Sequence, residues 1–195
     1  MLDRKAYFIK EQVGLLKLAD TYDILDPQSK QQLGCAKEEP GALFKYLRLL
    51  INKHWLPTTV NIYETNQSRP IFSIRRPVKF FRSKVAIFDK DGTPLGYFKS
   101  KLFSFGGGFF VFDAQDKQVA EVKGDWKGWN FKFIGPNNME FGTVTKKWAG
   151  IGKELFTSAD NYMISINEAA KTHPVANILL LAAGLAIDVV YKEKN

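Results

Sequence analysis

From Thr58 onward the chain alternates apolar and polar residues in short runs separated by polar turns. Period two is the mark of a half-buried strand, because successive side chains leave a strand on opposite faces. Runs at 60–63 and 70–74 flank Glu64-Thr65-Asn66-Gln67-Ser68, and runs at 85–88 and 95–98 flank Asp89-Lys90-Asp91-Gly92. Two further pairs, 109–112 with 118–122 and 131–134 with 142–145, enclose Asp113-Ala114-Gln115-Asp116 and Gly135-Pro136-Asn137-Asn138. Asp, Asn, Gly and Pro in those turns satisfy or pre-set backbone conformations that strands cannot adopt, so each pair predicts a hairpin. The start of the chain repeats the pattern, with apolar runs at 13–18 and 22–25, the turn Asp26-Pro27-Gln28-Ser29, and a strand over 32–37. A last strand is expected over 162–166. The total approaches twelve.

Two stretches break the rule. Over 42–54, Leu43, Tyr46, Leu47, Leu50 and Ile51 recur at helical spacing while Lys45, Arg48 and Lys53 fall on the other side, which predicts one amphipathic helix outside the sheet. Over 175–190 nearly every residue is apolar with no polar stripe, so a helix there must be enclosed all round. At about 1.5 Å per residue it falls short of the ~30 Å hydrocarbon core of a membrane, and Asp188 sits inside it. A membrane span would be strained; the other solution is a closed antiparallel barrel of about twelve strands with the apolar C-terminal helix along its axis. Closure also removes the exposed strand edges. Asp188 must then be paired or lie at the barrel mouth, with Lys192 one turn on as its expected partner.

The chain has 195 residues, enough for a single domain over 1–195 with a sizeable core. Its net charge of +8 favours an anionic partner, either lipid headgroups or nucleic acid. One cysteine, Cys35, excludes an internal disulfide and fits a reducing compartment as an ordinary strand residue. The first ten residues lack the apolar core of a secretory signal, which makes a cytoplasmic location, with peripheral membrane association, the expectation.

Catalytic chemistry is thin. His54 and His173 have no partner at metal-ligand spacing, and Ser104 and Ser158 lack the Gly-x-Ser-x-Gly context of a nucleophile elbow. Gly106-Gly107-Gly108 is not followed by the Lys-Ser/Thr of a phosphate-binding loop and reads as a flexible turn. Trp126, Trp129, Phe131 and Phe133 could stack on bases, yet their spacing is that of barrel packing. The reading leans away from an enzyme, with no cofactor. Arg75, Arg76, Lys79, Arg82 and Lys84 instead lie close together, interleaved with Phe80 and Phe81, as suits a membrane surface. Lys146 and Lys147 form a second basic group.

The later sequence carries a recognisable pattern. Val144-Thr145-Lys146-Lys147-Trp148-Ala149-Gly150, then Glu154-Leu155-Phe156-Thr157-Ser158-Ala159-Asp160-Asn161-Tyr162, then Ala186-Ile187-Asp188, resembles the phospholipid scramblase family. More broadly the chain is similar to the tubby C-terminal-like superfamily, which includes the LURP-one-related proteins. Arg75-Arg76-Pro77, Asp89-x-Asp91-Gly92-x3-Gly96 and Gly124-Asp125-Trp126 fall in the same order, so the resemblance covers the chain from about Asp20 onward. It implies a twelve-stranded barrel around a hydrophobic C-terminal helix, in agreement with the residue patterns. It also implies association with phospholipid. Relatives carry an acidic pattern before the last helix, proposed to bind calcium; here Ser158 replaces an expected acid, leaving Asp160 and Asn161 as weak oxygen donors for an ion that takes six to eight. The leading reading is a barrel that docks on anionic headgroups through Arg75, Arg76, Lys79, Arg82, Lys84, Lys146 and Lys147. The alternatives are a scramblase moving lipids between leaflets, or a module binding nucleic acid or protein.

Overall fold

A computed structural model describes residues 1–12, 19–47, 50, 56–77, 84–100, 108–125, 129–146, 161–172 and 175–187. Twelve strands follow one another in the chain: β1 (Ala6–Glu11), β2 (Thr21–Leu25), β3 (Gln32–Glu38), β4 (Thr58–Glu64), β5 (Phe72–Arg76) and β6 (Val85–Asp89), then β7 (Pro94–Ser100), β8 (Gly108–Asp113), β9 (Gln118–Asp125), β10 (Asn130–Ile134), β11 (Glu140–Thr145) and β12 (Tyr162–Ile166). Each pairs antiparallel with its sequence neighbours, and β1 pairs with β12 through Phe8 opposite Met163 and Ile9 opposite Tyr162. The sheet is therefore a closed barrel.

Two α-helices and two short 3-10 turns, at Pro136–Asn138 and Glu168–Thr172, complete the described fold. Helix α1 (Ala42–Leu47) lies between β3 and β4, and helix α2 (Ala176–Ala186) follows β12. The expected apolar run at 13–18, the expected continuation of α1 through residues 51–54, and the Asp188 and Lys192 pair lie outside the described residues. One strand differs from expectation: the barrel opens with β1 at Ala6–Glu11, a stretch whose mixed sequence AYFIKE carries no turn signal before it.

Alternation decides what the barrel holds. Val60 and Ile62 on β4, Ile74 on β5, Ile87 on β6, Phe109 and Val111 on β8, Val122 on β9 and Phe131 and Phe133 on β10 are all buried. Helix α2 supplies the other half of this core, with Leu179 through Ala186 buried without interruption. It touches β5 and β7 as well as β12, strands far apart around the wall, as only an axial helix can. A helix suits that position because it bonds its own backbone polar groups and offers the wall nothing but side chains. Each of its buried leucines contributes about 1.5–3 kcal/mol relative to exposure.

Close packing requires small residues where helix and wall meet. A Cβ on Gly184 would stand 2.8 Å from Cγ1 of Ile164 on β12 and 3.4 Å from Cγ2 of Val144 on β11. Beneath the start of α2, residues 1–5 cross the barrel end, and Asn177 donates its Nδ2 to the carbonyl of Leu2 at 3.0 Å.

The hairpin turns owe their shape to aspartates. Oδ1 of Asp26 accepts from the backbone N–H of Gln28 and Ser29, both at 2.9 Å, and those bonds hold its carboxyl below the usual carboxylate range. Oδ1 of Asp89 accepts from Asp91 and Thr93, and Oδ1 of Asp113 from Gln115 and Lys117, at 2.8–3.0 Å. Gly92 completes its turn with a φ of 83°, where an L side chain is strained.

Replacing Gly184 tests the axial packing. Alanine at an ordinary helical glycine gains about 1 kcal/mol. Here Gly184→Val is expected to lose about 2 kcal/mol or more through overpacking against Ile164. Thermal and denaturant unfolding monitored by circular dichroism measure the difference.

Candidate functional site

An antiparallel meander sends alternate connections to opposite ends of the barrel, and here the two ends differ in kind. Compact turns at 26–31, 65–71, 90–93, 114–117 and 135–139 occupy one end. The other end holds the connections 12–20, 39–57, 77–84, 101–107, 126–129 and 146–161. Of the residues singled out in the sequence, Arg75, Lys84, Lys146 and Asn161 belong to this second rim or to the strand ends that form it. Positions more than eighty residues apart in sequence thus share one face. Formal charges taken from the sequence make the contrast sharper. The six connections of this rim together carry +8, and everything else in the chain cancels. At the opposite end, Asp26 is offset by Lys30, Asp91 by Lys90 and Asp116 by Lys117.

Arg75 and Arg76, adjacent in sequence, have different environments because β5 alternates. Arg75 points outward and is exposed, with its guanidinium carbon 4.4 Å from the ring centre of Phe88. Arg76 shares the inward face with Phe72 and Ile74 and is only 3% exposed. Its Nη2 donates to the carbonyl of Leu56 at 3.3 Å and to Oγ1 of Thr58 at 3.1 Å, so its guanidinium ties β5 to the start of β4. The period-two pattern Phe72, Ile74, Arg76 already contained this distinction. Arg76 is thereby removed from the solvent-facing set, where the clustering of basic residues alone had grouped it.

Lys84 and Lys146 each rest on an aromatic plate. The Nζ of Lys84 lies 3.9 Å from the ring centre of Tyr97 and 4.0 Å from Oδ1 of Asp116. Tyr97 in turn stacks on Phe112 at 4.8 Å, and burial together with its bond to Asp116 raises the phenol above its ordinary pKa. The Nζ of Lys146 lies 4.2 Å from the ring centre of Trp129, whose ring also packs against Phe131 at 6.1 Å and Tyr162 at 5.4 Å. Trp129 therefore joins a rim cation to the buried aromatic core. A cation over an aromatic face gains about 0.5–1 kcal/mol at an exposed site, enough to orient the side chain. Phe131 and Phe133 are core residues, as their spacing predicts.

The sequence patterns did not single out Phe88, Tyr97 and Phe112 as supports for these cations. Their outward positions follow from alternation, but the pairing of Lys84 with Tyr97 requires the register that sets Ala86 beside Tyr97. Lys79, Arg82, Lys147 and Asp160 lie outside the described residues, as do Trp126 and Gly106-Gly107; Gly108 begins β8. Asn161 is 5% exposed at the entry to β12. Calcium requires six to eight oxygens and several charges, and among the described residues no group of three or more His, Cys, Asp or Glu is placed to hold a metal ion.

With barrel, axial helix and basic rim in view, the family comparison is decisive. The family model described as Scramblase matches residues 17–194. The chain belongs to the scramblase family. Comparison with curated proteins finds no significant match, and comparison with solved structures finds none either. Membership in the scramblase family supports a lipid-associated function in general terms. Among the described residues, no helix of this scramblase-family barrel is long and apolar enough to cross a membrane.

The two adjacent arginines give a direct test of the geometry. Arg76→Ala is expected to cost about 2–4 kcal/mol of stability, because it strips buried hydrogen-bonding groups of their partner. Arg75→Ala should stay within about 0.5 kcal/mol of the parent, as an exposed substitution does. Parallel urea unfolding of the two variants measures the contrast.

Proposed function

We propose that this scramblase-family barrel docks reversibly on membranes containing anionic phospholipid, with its basic rim facing the headgroups. The observation that carries the reading is that the chain's whole formal positive excess falls, in sequence, within the connections of one rim, where described cations rest on half-buried aromatic rings. Phosphates favour such a surface for two physical reasons. Arginine and lysine neutralise their charge, and amphipathic aromatic rings favour the interfacial depth at which headgroups lie. Arg75, Lys84 and Lys146 are the described cations of the proposed surface; Lys79, Arg82 and Lys147 extend it along the same connections.

Each basic residue held near an anionic bilayer contributes about 1 kcal/mol. Several acting together hold a small protein at the membrane, and the attraction weakens as salt shortens the Debye length. Docking needs no change in the barrel. Movement of lipid between leaflets by insertion of α2 would require the helix to leave the strands that bury it, exposing an interior lined by Phe109, Phe131, Phe133 and Ile74. The enclosed position of α2 favours docking over insertion.

Vesicle flotation tests the proposal. The purified protein is expected to float with phosphatidylserine-containing vesicles at low salt, to be released at high salt, and to ignore pure phosphatidylcholine. Replacing Arg75, Lys84 and Lys146 together by Ala should weaken binding by about 3 kcal/mol, roughly a hundredfold. Binding that is unchanged in the triple variant, or indifferent to ionic strength, contradicts it.

A further inference from the structure

The basic rim holds an apolar feature that headgroup binding leaves unused. In the sequence, Tyr46 and Leu50 belong to the apolar stripe of an amphipathic helix, the side expected to cover the barrel. In the structure they face solvent. Tyr46 is 70% exposed on α1, and Leu50 is 85% exposed just beyond it, where its N–H donates to the carbonyl of Leu47 at 3.0 Å and closes the turn. One exposed leucine means nothing on a protein surface. Two large apolar residues four apart in sequence, at the end of the barrel that carries the net charge, form a patch.

The surrounding sequence narrows the choice of what covers it. From Pro40 to Tyr63 the chain has no Asp or Glu, while Lys45, Arg48 and Lys53 lie within the same stretch. A second copy of this rim would bring like charges together, which opposes self-association. An anionic bilayer offers the complement to both parts: phosphates for the lysines and arginine, and an acyl boundary for Tyr46 and Leu50. Short basic segments with an apolar face behave this way at the interface, burying the face below the headgroups.

We infer that Tyr46 and Leu50 form an apolar wedge that enters the acyl boundary of an anionic phospholipid bilayer when the basic rim docks. The inference rests on the docking proposed above and adds a penetration step to it. Charge brings the rim to the surface, and the wedge then slows its departure. Salt governs the first contribution and leaves the second largely untouched.

A depth probe separates the two. In a Cys35→Ser background, Leu50→Cys carries an environment-sensitive nitrobenzoxadiazole label, and a control carries it at Met139→Cys, an exposed apolar site in the opposite turns. Vesicles are phosphatidylcholine with about 30 mol% phosphatidylserine, an anionic surface of the kind that attracts basic segments. The label at position 50 is expected to shift to the blue on vesicle addition and to be quenched by lipids brominated on the acyl chain. The label at position 139 should do neither. The paired variant Tyr46→Ser and Leu50→Ser should bind the same vesicles about tenfold or more weakly, with unchanged thermal unfolding because neither side chain is buried. If the protein floats with the vesicles while the label at position 50 stays in water, the wedge is overturned and the headgroup reading stands. If the protein does not float at all, both fall. If the blue shift appears with rising protein concentration in the absence of lipid, a second copy covers the patch and the wedge is again overturned.

Discussion

Everything in this structure depends on enclosing one helix. Leu179 through Ala186 present apolar surface in every direction, so α2 has no face that water tolerates. An axial helix inside a closed sheet meets that demand, and the demand propagates outward. The wall must be wide enough to take a helix, its inner side chains must interlock with helical ones, and Gly184 must be small where Ile164 crosses it. The twelve-stranded meander is the simplest chain path that satisfies all three, since every hairpin joins neighbours and only the β1–β12 pair is non-local.

A meander closed in this way creates two unlike ends. Aspartate side chains bond the backbone at three compact turns, and no net positive charge collects there. The other end receives the longest connections, and by sequence the net charge falls in the connections there. The inner wall and the outer rim then divide neighbouring residues between structural and surface roles. Arg76 stabilises the start of β4 from within, while Arg75 lies against Phe88 outside. The scramblase-family assignment and the position of the basic rim support one picture, in which a stable barrel presents one charged end to a lipid surface.

Much of the fold was legible because its signals are local. Hairpin turns, period-two runs and an apolar stretch too short for a membrane each follow from neighbouring residues. The first strand was not legible, because Ala6–Glu11 is defined by pairing with β12 more than 150 residues later, and no turn residue announces it. Within the site, the basic residues stood out by composition, but their orientations depended on strand phase. Extending the alternation of β5 by one step separates Arg75 from Arg76. The aromatic supports needed cross-strand register, and the outward turn of Tyr46 and Leu50 ran against the ordinary expectation that an apolar stripe faces the core. That reversal made the patch informative.

Hydrogen exchange on the intact protein, with and without phosphatidylserine-containing vesicles, tests the central claim most directly, because it reads both ends of the barrel in one measurement. The account predicts added protection in the connections of the basic rim, including the segment around Tyr46 and Leu50, and unchanged exchange in the turns at 26–31, 90–93 and 114–117. Protection centred on those turns, or loss of protection along α2 as it leaves the barrel, would contradict it.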